Sequence, residues 1–181
     1  MPKYYIPKKD FYVIPFEQVK RMIKVTDDIR MKAILALIWV TGARIGEILK
    51  LRKEDFTVDL NTDTVLILIP TLKGGSPREL ELSINDTPTM KEIILPYLAK
   101  RDNLLFDIGR RRTQQLLQKI NKETDYWLTF HQFRHSRITY LARKERASTA
   151  ELMDWTGWNT SRQVGTYIIK QSSKRFKNRI R

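Results

Sequence analysis

Apolar residues recur at helical spacing over the first third of the chain. Phe16, Val19, Met22 and Ile23 mark one face of a helix over about 15–25, with Pro15 suited to its first turn. A second helix over about 28–40 is apolar on most sides near its end, which predicts a central core helix. Gly42 breaks it, and a short helix follows over about 43–51. The character then changes. FTVDLNTDTVLILIP (56–70) and RELELSI (78–84) are rich in β-branched residues or alternate with period two, and read as β-structure. TLKGGSP (71–77) separates two strands as a hairpin loop. Helical patterning returns over about 89–100 and 110–122, and through most of the remainder. The pattern predicts an α+β fold: one mostly helical domain with a small antiparallel sheet inserted.

Charge narrows the partner. The 181 residues hold 34 Lys plus Arg against 20 Asp plus Glu, a formal net charge of +14, which points to a polyanion. A membrane surface is disfavoured as that partner. The longest apolar run, AILALIWV (33–40), has eight residues, where a span needs about 20. The first residues, MPKYYIPKKDFYVI, contain no signal-peptide h-region, and the chain has no cysteine for disulfides or thiolate chemistry. The expectation is an intracellular, cytoplasmic protein whose leading partner is nucleic acid.

HQFRH (131–135) contains the only two histidines of the chain. Their spacing of four matches zinc sites on helices. Here a zinc ion would meet Arg134 and no third ligand, so no metal or other cofactor is expected. Thr129-x-x-Gln132 is a capping-box pattern that sets a helix N-terminus just before His131. His131 and Arg134 then share one face of the first turn, at the positive end of the helix dipole. A phosphate is favoured there, with a capping histidine beside a surface arginine as the alternative reading of this motif alone.

Four segments, HQFRH among them, carry a resemblance. TGARIGEIL (41–49) resembles the T-G-x-R-x-x-E-hydrophobic signature of the tyrosine recombinase family, the phage-integrase type. TLKGGSPREL (71–80) resembles its strand-turn-strand, and HQFRH its H-x-x-R-H box. TGWNTSRQVGTYI (156–168) resembles its Gly-His/Trp pair followed nine residues later by tyrosine. Each is weak alone. Tyr167 sits in a Val164–Ile168 stripe that reads as core, Lys73 is one lysine among many, and Arg44–Glu47 reads as a surface ion pair. Their occurrence together, in family order, is highly specific.

The resemblance implies DNA strand cleavage without metal, through a 3′-phosphotyrosyl intermediate. Tyr167 is then the nucleophile, and Arg44 and Arg134 the guanidinium forks that hold the phosphate oxygens. His131 is the acid/base for the phenol, Lys73 the acid for the departing 5′-oxygen, and Trp158 a hydrogen-bond donor to phosphate. Glu47, three residues after Arg44, orients that guanidinium. Arg78 is expected on DNA, as are Arg110, Arg111 and Arg112 at a helix start. The catalytic pattern assigns residues 1–169 to one catalytic domain, without the N-terminal core-binding domain of the family, and 170–181 to a basic tail. KQSSKRFKNRIR (170–181) has Phe176 and Ile180 four apart and is expected to support self-association on DNA as dimer or tetramer. The expected function is site-specific recombination or integration. A type IB topoisomerase-like nicking-closing enzyme and a silent DNA-binding protein of the same fold are the alternatives.

Overall fold

A computed structural model describes residues 13–71, 77–143, 145–165 and 167. Lys73 and the 170–181 tail lie outside the described residues. The fold is the expected one: helices surround a core, and a three-stranded antiparallel sheet stands in the middle of the sequence.

Helix α1 (Phe16–Val25) turns Val19, Met22 and Ile23 inward. Helix α2 (Ile29–Thr41) starts where the Asp28 carboxylate accepts the Arg30 and Met31 N–H groups, satisfying two of its free donors. Ten of its residues, from Met31 to Thr41, are buried, because α1, the helices that begin at Ile45, Arg110 and Phe130, and the segment after the sheet all pack on it. It is the central core helix the apolar pattern predicts. Gly42 ends it at φ 63°, a left-handed conformation that favours glycine. Helix α3 is shorter than expected, Ile45–Ile48.

Two expectations are corrected. The run 56–70 is not one stretch but a hairpin: β1 (Phe56–Asp59) pairs with β2 (Thr64–Ile69) across a turn at Asn61–Asp63, with Asp63 left-handed at φ 57°. Asp59 caps that turn by accepting the Asn61 N–H at 2.8 Å. β2 then pairs with β3 (Arg78–Ser83), Ile69 opposite Arg78 and Ile67 opposite Leu80. The expected helix over 89–100 opens instead with a π-helical turn, Met90–Ile94, before α4 (Leu95–Ala99). Leu95 N–H reaches back to the Met90 carbonyl, five residues away. Pro96 follows directly and has no N–H for the Glu92 carbonyl, so the ordinary α ladder cannot run through this point.

Helix α5 (Arg110–Thr124) leads to α6 (Phe130–Arg143), whose start is the predicted capping box. Gln132 Oε1 accepts the Thr129 N–H at 2.8 Å, and Thr129 Oγ1 accepts the Gln132 N–H at 3.3 Å. Helix α7 (Thr149–Thr156) ends at Gly157, φ 69°. A second apolar cluster of Ile138, Leu141, Ala142, Leu152 and Val164 lies under α6 and α7, with Trp158 and Tyr167 against it. No described helix is long and apolar enough to cross a membrane.

Candidate active site

The helix ends deliver charge to one place. Arg44 heads α3, His131 lies in the first turn of α6 with Arg134 just after it, and Arg110 opens α5. All four line one cavity of about 290 Å³, together with Ile45, Gln114, Thr129 and Phe130. The space suits a phosphate group, and three arginines and two helix N-termini face it. A larger groove of about 690 Å³ lies apart, between α1, α2 and α4, and holds none of the expected site residues.

Arg134 is held by main-chain oxygens, and the two signature glycines explain how. Its Nη1 donates to the Gly42 carbonyl at 2.6 Å and its Nη2 to the Thr156 carbonyl at 3.3 Å. Gly42 and Gly157 each reverse the chain after a helix, and those reversals leave the two carbonyls turned to the guanidinium. Burial, helped by the neighbouring Arg44 cation, pushes Arg134 down to about 10, still well above neutrality. Its side chain is therefore a fixed, charged fork at working pH.

Glu47 is fully buried beneath this surface. It accepts Arg44 Nη1 at 2.8 Å, the Arg44 N–H at 2.8 Å and Arg78 Nη2 at 3.1 Å. Burial pushes its carboxyl up, but the Arg44 N–H and the Arg78 charge outweigh burial, and the net shift is down. Arg44 itself keeps its outer part accessible, 43% exposed.

Arg78 is a correction. Expected on the DNA surface, it is 7% exposed and turned onto Glu47, with Nε donating to the Trp155 carbonyl at 2.8 Å. The signal was present in the sequence. R-E-L-E-L alternates, so Arg78 shares the inward face of β3 with Leu80 and Leu82. Arg110, Arg111 and Arg112 are all exposed, but only Arg110 lines the cavity.

Tyr167 packs beside Trp158, ring centroids 5.4 Å apart, and Trp158 lies under the Arg134 guanidinium at 5.7 Å. The histidine ring against Tyr167 is that of His135, at 4.5 Å; exposed His131 is 6.3 Å from His135. The motif points to His131, yet the spacing of four puts His135 on the same face of α6, and it is the His135 ring that meets Tyr167. Burial raises the Tyr167 phenol above its ordinary 10.0, and the Arg134 charge opposes that rise. The hydroxyl is protonated at neutral pH, and only a nearby base or bound phosphate chemistry can release it.

The sequence matches the model of the phage integrase family over residues 13–174. The chain belongs to the phage integrase family. It is 28% identical over 147 residues to the tyrosine recombinase XerA of Pyrococcus horikoshii, covering 77% of this chain and 50% of that protein. The XerA of Thermococcus kodakarensis is 30% identical over 139 residues, 69% of this chain and 46% of that one. The chain thus spans about half the length of these relatives. Among solved structures, the XerH site-specific recombinase bound to difH substrate, in a pre-cleavage complex, superposes with a TM-score of 0.71 at 20% identity, over 91% of this chain and 52% of that chain. A crystal structure of XerA recombinase gives 0.65 at 22% identity, over 92% and 61%. The fold is that of these recombinases.

Proposed function

We propose that this protein is a site-specific recombinase that cuts and rejoins double-stranded DNA through a 3′-phosphotyrosyl ester. The observation that carries the reading is the convergence of Arg44, Arg134 and His131 on one phosphate-sized cavity, with the Tyr167 ring next to Trp158 and Trp158 under Arg134.

In the proposed reaction the Tyr167 oxygen attacks phosphorus, the P–O5′ bond breaks, and the strand stays on the enzyme as a 3′ ester. The attacked phosphate spreads negative charge over its non-bridging oxygens. Arg44 and Arg134 meet that charge as prearranged donors, and the α6 N-terminus adds backbone N–H groups. His131 takes part as acid/base for the phenol, and His135 sets the ring of Tyr167. Trp158 donates its indole N–H to phosphate. Lys73, outside the described residues, gives the proton that the 5′-oxygen needs. Reversal with a different 5′-hydroxyl completes strand exchange, with no net loss of phosphodiester bonds. Residues up to 169 form the catalytic domain, the arginines from Arg110 to Arg112 hold flanking DNA, and the 170–181 tail supports assembly of copies on DNA.

Tyr167→Phe tests the reading. It removes one oxygen and leaves the ring on the apolar cluster of Ile138, Leu152 and Val164. DNA binding is expected to persist, while the covalent 3′ adduct on a nicked trapping duplex disappears. An adduct that survives in the variant would sink the assignment.

A further inference from the structure

Arg78 touches both halves of the candidate site and has no part in the chemistry above. One end of its guanidinium reaches Glu47 at 3.1 Å, and the same carboxylate holds Arg44 at 2.8 Å. Its Nε holds the Trp155 carbonyl at 2.8 Å, in the last turn of α7. Its Cδ and Nη1 lie 3.4 Å from where a Cβ on Gly157 would stand, so the chain reversal before Trp158 closes directly on this side chain. Strand β3 supplies the backbone, with Arg78 in register opposite Ile69. At 7% exposure the guanidinium does not reach a surface phosphate.

We propose that Arg78 is a positioning residue, which fixes the Trp158 turn in register with Arg44 by bridging Glu47 and the end of α7. The inference rests on the recombinase reading of the site. The segments that carry Arg44 and Trp158 are more than a hundred residues apart in sequence. Arg134 ties them from above through the Gly42 and Thr156 carbonyls, and Arg78 ties them from below. Only an arginine fits the lower position. Its planar fork gives one donor to the carboxylate and another to the carbonyl, whereas the lysine ammonium is a point charge on a flexible stem. A displacement of about 1 Å between phosphate-holding groups costs on the order of 100-fold in rate.

The test is a double-mutant cycle read as two quantities, the single-turnover rate of adduct formation on a nicked trapping duplex and the Kd for that duplex. R78M fills the space without donors. Its expected rate is down about 100-fold, with Kd within about threefold of wild type because no phosphate contact is lost. R78K restores part of the rate. Added to E47Q, R78M is expected to cost only about fivefold more, because the partner it acts through is already impaired. Should R78M fail to fold by near-UV circular dichroism, R78K and E47Q/R78K supply the same cycle. A wild-type rate in R78M, rate losses that multiply in the double variant, or a Kd loss that matches the rate loss would each overturn the inference. Wild-type protein is scored first: no adduct there overturns the recombinase reading itself, and this inference with it.

Discussion

Glu47→Gln offers a sharp measure of what holds the site together. The wild-type carboxylate is fully buried and answers three donors, two from Arg44 and one from Arg78. The amide has one acceptor oxygen and one donor NH2, so whichever way it sits a donor faces a donor. The least damaging orientation keeps the oxygen toward the Arg44 N–H and Arg78, and turns the NH2 toward Arg44 Nη1. Arg44 is 43% exposed and can swing its charge into water, so that loss is worth under about 1 kcal/mol. Arg78 cannot move out. At 7% exposure it is left as a buried cation without a counter-charge, and breaking such a pair costs about 3–5 kcal/mol. The retained neutral hydrogen bond argues for the lower end, a total of about 3 kcal/mol, against a domain stability of about 5–15 kcal/mol. Urea unfolding is the right assay, because urea carries no charge and leaves ion pairs unscreened. The expected result is a lower midpoint at unchanged m-value, with E47Q/R78M recovering at least half of the loss since no orphan charge remains. An E47Q protein within about 1 kcal/mol of wild type would refute the buried-cation argument.

What the sequence made legible, and what it hid, divides along local and long-range physics. The α6 start was readable because a capping box needs only residues 129 and 132, and the end of α2 because Gly42 follows an apolar run. Motif order names Arg44, His131 and Arg134, and their shared cavity is a consequence of two helix starts, those of α3 and α6, converging, which no single segment reports. The hairpin inside residues 56–70 is hard to read because its turn, within D-L-N-T-D (59–63), rests on Asp59 and Asp63 without the glycine or proline that marks most turns. The π turn at Met90–Ile94 was missed because helical periodicity alone does not register one missing donor, although Pro96 removes it. Arg78 was misread for a different reason. A cation in a basic chain invites a surface reading, yet the period of two that identified β3 already assigned it to the inner face, and only the distant Glu47 explains how its charge is tolerated there. His135 shows the same limit: its role depends on Tyr167, thirty-two residues on in the chain.

Three further expectations follow from particular contacts. Gly157→Ala forces an L side chain into φ 69° and sets its Cβ 3.4 Å from Arg78, so a loss of about 1–2 kcal/mol is expected, read as a Tm drop of several degrees; an unchanged Tm would mean that the turn relaxes freely. Because the Glu47 pKa is depressed in the folded state, its contribution to stability is complete above its ordinary 4.5 and is lost as pH falls through the depressed value; the Tm gap between wild type and Glu47→Gln should therefore close below pH 4.5, and a constant gap would count against the linkage. Salt separates the two kinds of arginine. A chain of net charge +14 that covers about six phosphates should lose duplex affinity with a log–log slope near about −5. Arg110, exposed at the α5 start and lining the cavity, belongs to that count, so Arg110→Ala should make the slope shallower by about one. Buried Arg78 does not belong to it, and R78M should leave the slope as it is. A slope near zero in the wild type would remove the polyanion argument, and an equal change in both variants would place Arg78 back on the DNA surface.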